Sequence, residues 1–306
     1  MKPFTVYLSE SGGAAAICAI KSFRKLSSDK NIPIKIVSAD ADRFAAGRNL
    51  SDVFYTCPMA SKDPTSYITW LNTILLSEQV DLILPSGEHD LRLLSLYKNH
   101  WENTKIYVSS EKSIYICQDK SVFYKELKNL FALPLTIEGN LFQKPKRSAG
   151  SRNTKLIANE SDYIVQENLP GKEYTVDVFC DEQSKSMGTV VRERVVIKSG
   201  ISTQNRVCNF SKLNLVETSE QLCQHLKLIG PVCIQYKQDV NGVDKVLEIN
   251  PRLGGSSIVS TLADVNFAEL YYNLCKGITT EYKSPKSIYV SRYWEETVHE
   301  NYENIR

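Results

Sequence analysis

The chain has 306 residues, 42% of them apolar and 24% charged, with a formal net charge of +2. That length allows one large or two to three modest domains with buried cores, and the near-neutral balance argues against a dedicated nucleic-acid binder. No apolar run approaches the ~18 residues of a membrane span, and the N-terminal MKPFTVYLSES lacks a signal-peptide core, so a cytoplasmic setting is expected. Eight cysteines are scattered without a CxxC pair, and the four histidines lack ligand spacing. They read as buried thiols and ordinary histidines, so any metal is expected to be held by oxygen ligands.

In chain order, FTVYL (4–8) reads as a strand, residues 9–13 as a turn and AAAICAIKSFRKL as a helix. IPIKIVSAD follows as a strand, YITWLNTILLSE as a helix, and VDLILPS and KIYVSS as further strands. Strands separated by helices imply a doubly wound parallel sheet over residues 1–112. Ligands in such sheets sit at the carboxyl ends of strands, which makes residues 9–13, Asp40 and residues 86–88 the expected crevice. The pair Gly12-Gly13 is compatible with a plain tight turn or with a substrate or phosphate contact.

From about Ser113 the rhythm changes. NLFQKP, DYIVQENL, EYTVDVFCD, MGTVVRERVVI, VCIQYKQDV and DKVLEINPR read as short alternating strands. Two helices interrupt them, SVFYKELKNLF (121–131) and one opening at Thr218, where Thr218 and Gln221 have capping-box spacing. Residues 145–155 form the most polar stretch, compatible with a functional clamp or a disordered tip.

The most informative segment is VCIQYKQDVNGVDKVLEINPRLGGSS (232–257). Asn241-Gly242 between two alternating runs predicts a hairpin with a two-residue type I′ turn. Gln235 then lies across from Glu248 and Cys233 across from Asn250, so Gln235, Glu248 and Asn250 share one face. Ile234, Tyr236, Leu247 and Ile249 take the core side. Three oxygen-bearing side chains on one patch suit a hard cation whose shell is completed by phosphate and water. A solvated polar face would need no such ligand, but the Asn-Pro-Arg-Leu-Gly-Gly tail turns the chain tightly and brings in Arg252, a guanidinium suited to anionic substrate or phosphoryl charge.

LEINPRLGGSS resembles the metal-binding signature of the ATP-grasp superfamily, within its carbamoyl-phosphate-synthetase-like carboxylate–amine ligases. The resemblance covers about residues 113–275 and implies a two-lobed ATP-grasp fold, with a small lobe over 113–175 and a large lobe over 176–306, behind a Rossmann-like pre-ATP-grasp domain. It implies Gln235, Glu248 and Asn250 as ligands of Mg²⁺ (or Mn²⁺) and Arg252 as a catalytic contact. Gln118-Asp119-Lys120 resembles the opening of the fold, with Lys120 reaching the nucleotide phosphates. LFQKPKRSAGSRN resembles the phosphate strand and loop, which implies Lys144, Ser148, Gly150 and Ser151 as ATP contacts, although the loop has one glycine where relatives often have three or four. QENLPGKE resembles the interdomain hinge, with Gln166, Glu167 and Leu169 near the adenine and Glu173 on the ribose.

Arg192 and Arg194 share a strand face, where like charges cost stability unless they meet an anion. The resemblance implies that they and Lys198 act on the γ-phosphate and acyl substrate, while Asp177 reads as structural. The tail SIYVSRYWEETVHE resembles a closing strand and helix. The implied activity is an ATP-dependent ligase joining a small-molecule carboxylate to an amine through an acyl phosphate, with a homodimer as family habit. A bicarbonate-activating carbamoyl-phosphate-type or carboxylase-like enzyme and a non-catalytic nucleotide-binding protein are the alternatives.

Overall fold

A computed structural model describes residues 2–135, 141–145, 155–156 and 163–300. In chain order the first elements are β1 (Phe4–Leu8), α1 (Ala14–Lys30), β2 (Ile34–Asp40), β3 (Val53–Thr56), α2 (Pro64–Ser77), β4 (Leu82–Leu84), α3 (His89–Tyr97) and β5 (Lys105–Ile106). Then come α4 (Glu111–Gln118), α5 (Lys120–Leu127), β6 (Leu141–Pro145), β7 (Lys155–Leu156), β8 (Tyr163–Glu167), β9 (Glu173–Cys180), β10 (Ser186–Lys198), β11 (Ile201–Val207) and α6 (Leu213–His225). The chain ends with β12 (Gly230–Gln238), β13 (Asp244–Asn250), α7 (Ile258–Leu262), α8 (Phe267–Lys276) and β14 (Tyr289–Ser291).

The chain forms two compact units. The first takes residues 1–111, 252–282 and 293–306; the second takes residues 112–251 and 283–292. This division differs from a simple three-part cut, because α7 and α8 return to the first unit.

The first unit is built on a parallel sheet in the order β3-β2-β1-β4-β5, the doubly wound arrangement expected for residues 1–112. Strands β1, β2 and β4 are almost wholly buried, which is why they read as continuous apolar runs. One face is covered by α2, whose start is fixed by Pro64 and by the Asp63 side chain accepting from Ser66 N. Tyr67, Ile68, Leu71, Ile74 and Leu75 of that helix pack with Tyr7, Val37 and Ile83. On α1, Ser22 Oγ lies 2.7 Å from Thr261 Oγ1 and the Ser22 carbonyl accepts from Asn266 Nδ2 at 3.1 Å. Asn266 also caps α8. These buried polar contacts hold the returning segment against the start of the chain.

The second unit contains an antiparallel six-stranded sheet, β13-β12-β9-β10-β11-β14, and a three-stranded sheet, β7-β6-β8. One face of the larger sheet carries Tyr174, Val176, Val178, Val191, Ile234, Tyr236 and Ile249, packed on Leu215, Leu222 and Cys223 of α6 and on Phe123 and Leu127 of α5. Helix α6 begins at Leu213, five residues before the predicted Thr218 start, so Thr218 is an interior residue and not a cap. Residues 292–300 form no helix, so only the strand of the predicted closing strand and helix is present, as β14.

The hairpin β12–β13 corrects the predicted turn. Residues 239–243 form a five-residue loop in which Asp239 Oδ1 accepts from Asn241 N and Val243 N, both at 2.9 Å. Gly242 adopts φ +80°, a conformation that favours glycine. Beside the loop the register is Gln238↔Asp244 to Tyr236↔Val246; beyond a bulge it is Gln235↔Glu248, Ile234↔Ile249 and Cys233↔Asn250. Leu247 is the extra residue. It offsets the longer loop, so the predicted pairing of the polar residues holds although the predicted turn does not. Val246, and not Leu247, belongs to the core cluster with Tyr236.

Candidate active site on the polar face of the antiparallel sheet

Alternation along the strands puts Glu173, Thr175 and Asp177 of β9, Arg192 and Arg194 of β10, Gln235 and Lys237 of β12, and Glu248 and Asn250 of β13 on the face opposite the core. At its centre, Glu248 Oε1 accepts from Gln235 Nε2 at 2.7 Å and from Asn250 Nδ2 at 3.2 Å. The three residues singled out in the sequence therefore meet through their side chains. Arg194 Nη1 donates to Gln235 Oε1 at 2.9 Å and to Glu173, and Nη2 donates to the Gly200 carbonyl at 2.5 Å. Lys237 Nζ lies 3.9 Å from the other oxygen of Glu173. The Arg194 guanidinium thus links the edge of the Glu248 cluster to Glu173.

Lys120 arrives from α5, whose first turn is fixed by Asp119 accepting from Ser121 N and Val122 N. Its side chain is buried, and Nζ stands 3.8 Å from Glu248 Oε2. The sequence expectation sent Lys120 to phosphate; its ion pair here is with the carboxylate of the cluster.

Tyr124, one helical turn further, donates from its hydroxyl to the Leu247 carbonyl at 2.9 Å. Burial, with the Glu248 charge adding, pushes that phenol well above its ordinary range, while a hydrogen bond from Gln166 opposes the shift. Sequence reading missed Tyr124; the i, i+4 spacing from Lys120 was the available signal. It also missed Lys237, which alternation places beside Gln235.

The remaining expected residues divide into three sets. Glu167 is paired, with Oε1 accepting from Leu135 N at 2.9 Å and lying 3.4 Å from Lys245 Nζ. Gln166 and Leu169 are buried, and the Gln166 Oε1 atom has no partner among the described residues. Gly171 lies against β12: a Cβ there would come within 2.6 Å of Gln238 Cβ, and its N–H donates to the Gln238 carbonyl. A groove of about 500 Å³ lined by Gly171, Glu173, Arg194, Ile197 and Lys237 opens beside this turn. Lys144 is on β6, across from Ile164. Ser148, Gly150 and Ser151 lie outside the described residues.

Arg192 departs from expectation. It is 1% exposed, and its guanidinium donates to both oxygens of Asp177 at 2.7 and 2.9 Å and to Asn205 Oδ1 at 3.0 Å. The anion required by two arginines on one strand face comes, for Arg192, from Asp177 of the neighbouring strand. Lys198 is exposed at the end of β10. Arg252 opens the segment that packs in the first unit, where Nη2 donates to Glu88 at 3.1 Å and Nη1 to the Leu253 carbonyl at 3.0 Å.

Comparison with known proteins agrees with this architecture. Residues 159–297 match the family model described as "ATP-grasp in the biosynthetic pathway with Ter operon". An ATP-grasp superfamily protein from Archaeoglobus fulgidus superimposes with a TM-score of 0.61 at 17% identity, over 94% of this chain and 92% of that one. The biotin carboxylase domain of the Hydrogenobacter thermophilus 2-oxoglutarate carboxylase, solved with MgADP, ADP and bicarbonate, gives 0.70 at 12% identity, over 92% and 72%. An L-amino acid ligase from Bacillus licheniformis gives 0.68 at 12% identity, over 90% and 75%. No curated protein matches by sequence. Residues 159–297 are thus similar to that ATP-grasp family, and the chain has the ATP-grasp fold.

Proposed function

We propose that this protein is an ATP-dependent carboxylate–amine ligase, which transfers the γ-phosphoryl group of ATP to a small-molecule carboxylate and passes the acyl group to an amine, releasing ADP and phosphate. The observation that carries the reading is the meeting of Gln235, Glu248 and Asn250 on the polar sheet face, flanked by Lys120 and Arg194.

These residues fit a hard cation. Glu248 supplies one carboxylate, and the amides of Gln235 and Asn250 now turn N–H groups toward it. Rotation about the terminal torsion of each amide, which is soft, exchanges nitrogen for oxygen. One carboxylate and two amide oxygens suit Mg²⁺ or Mn²⁺ completed by phosphate oxygens and water. When bound, such an ion would supply charge neutralisation for the β- and γ-phosphates.

The chain's own groups would supply the rest. Lys120 and Arg194 add fixed positive charge where phosphoryl transfer needs positioning and electrostatic stabilisation. Lys144, with Ser148, Gly150 and Ser151, is assigned to the phosphates. Gln166, Glu167 and the Leu169 backbone are assigned to the adenine, and Glu173 to the ribose, beside the groove at Gly171. Arg252 and Lys198 are assigned to the acyl substrate. Arg192 is assigned to holding β9 and β10 in register.

The test is phosphate release from Mg·ATP by the purified protein across panels of acids and amines. Release that requires both an acid and an amine supports the ligase reading. Release that requires bicarbonate in place of the acid would replace it with carboxylase-type chemistry. Nucleotide binding without turnover throughout would reduce the protein to a non-catalytic binder.

A further inference from the structure

The first unit contains a second group of charged residues, at the carboxyl ends of its parallel strands. Glu10 follows β1 with φ +45°, and its carboxylate rests on Gly87, where an added Cβ would come within 1.8 Å of Cδ and Oε2. Asp40 ends β2 and accepts from Gly12 N at 2.8 Å and Asp42 N at 2.9 Å. Glu88 precedes α3 and receives Arg252 at 3.1 Å. Asp90, in the first turn of α3, is 1% exposed; the Ser9 hydroxyl and the backbone N–H groups of Leu91, Asp90 and Gly87 lie near enough to oppose the rise that burial causes in its pKa, but neither carboxylate oxygen meets a donor at good hydrogen-bond geometry among the described residues. A carboxylate this buried without a full-geometry donor is costly on its own.

The charges do not balance. Among the described residues, four carboxylates, Glu10, Asp40, Glu88 and Asp90, stand against one guanidinium, Arg252, which donates to Glu88 and also pulls on Glu10. The groups sense one another. Burial, then Asp90 and Asp40, with a smaller push from Glu88, raise the Glu10 carboxyl to about 7 against the pull of Arg252. Burial, then Asp40 and Asp90 with a smaller push from Glu10, raises the Cys57 thiol, and Asp90 adds to the effect of burial on Tyr7 and Tyr67. A proton retained at Glu10 near neutrality marks where positive charge is lacking.

We propose that Glu10 and Asp90, supported by Asp40, form a subsite for an ammonium group carried by a substrate. An ammonium ion brings three N–H donors and one positive charge, which would satisfy the Asp90 oxygens and take the place of the proton on Glu10. The proposal rests on the ligase reading only in making the bearer of that group one of the substrates joined; recognition of the ammonium group stands on the first unit's own residues.

The experiment uses the full chain without nucleotide, labelled with ¹³C at glutamate carboxyls, with the Glu10 resonance assigned by its loss in Glu10→Gln. Its titration midpoint is measured in sodium chloride, ethylammonium chloride and tetramethylammonium chloride at equal ionic strength. Ethylammonium should lower the midpoint by about one unit or more, as expected for an opposite charge within contact range of a carboxylate. Tetramethylammonium, which has no N–H donor, should match sodium. Gly87→Ala, which evicts the Glu10 carboxylate without touching the acids, should return Glu10 toward the ordinary carboxylate range and abolish the ethylammonium effect; so should Asp90→Asn, if it folds. Equal midpoints in all three salts, or equal shifts with both organic cations, overturn the proposal. An ethylammonium shift in a protein that never releases phosphate would refute the ligase reading and leave the subsite standing. Phosphate release without the shift would do the reverse.

Discussion

Glu248 is the one carboxylate in the Gln235–Asn250 cluster, and it receives three groups: two side-chain amides and the ammonium of Lys120. Glu248→Ala should reduce phosphate release at least about 100-fold, the usual loss when one charge-stabilising group is removed. Its denaturation midpoint should stay close to wild type, because the side chain is on the polar face. Near-normal turnover in a coupled phosphate assay would remove Glu248 from the mechanism.

The two arginines of β10 should separate in the opposite sense. Arg192→Ala removes the guanidinium that neutralises buried Asp177, a change that typically costs about 3–5 kcal/mol, readable in urea unfolding. Arg194→Ala leaves Glu173 next to Lys237 and a groove, so its cost should fall mainly on turnover and on the ATP requirement. If the two variants were equally stable, Arg192 would not be the structural member of the pair.

At the scale of elements, the β12–β13 hairpin explains why a wrong turn still produced the right pairing. The loop is longer than the Asn-Gly signal implies because Asp239 gathers the amides of Asn241 and Val243 and starts the loop early. The Leu247 bulge then restores the pairing before the chain reaches Glu248. A one-residue slip exchanges the faces of a strand. Deleting Leu247 should therefore turn Glu248 and Asn250 toward the core side and abolish Mg²⁺-dependent nucleotide binding. Deleting exposed Val240 from the loop should leave such binding nearly intact. Calorimetric titration with Mg·ADP distinguishes the two; equal affinities would show that the bulge does not set the site.

Elements missed in the sequence share a cause. β11, read as ISTQNRV, pairs between β10 and β14 and alternates buried Ser202 and Asn205 with partly exposed residues, so it lacks an apolar stripe. Strand β3 is short and at the sheet edge, held by parallel pairing with β2. Both are strands because neighbours supply hydrogen bonds to them, and local pattern carries little of that information.

At the scale of the molecule, each unit has its own charge economy, and the first holds a carboxyl that titrates near neutrality. Because the Glu10 carboxyl titrates at about 7 in the folded protein, against an ordinary 4.5, the folded state holds a proton that the unfolded chain releases over that interval. Stability therefore declines as pH rises from about 4.5 to about 7 and changes no further through this group above that. The raised pKa of buried Asp90 acts in the same direction. Glu10→Gln should lose less stability than wild type between pH 5 and pH 8, measured as denaturation midpoints on the full chain. Parallel curves would mean that Glu10 is not held protonated.

The doubly wound parallel first sheet and the convergence of Gln235, Glu248 and Asn250 were legible from periodicity, because alternation and helical spacing are local properties of the chain. Partner choice was not. That Arg192 finds Asp177, that Lys120 pairs with Glu248, that α7 and α8 rejoin the first unit and that Glu10 settles on Gly87 beside Asp90 depend on contacts between residues far apart in sequence. Burial and electrostatics act through space, so only the folded arrangement decides which charges are neutralised and which are left calling for a ligand.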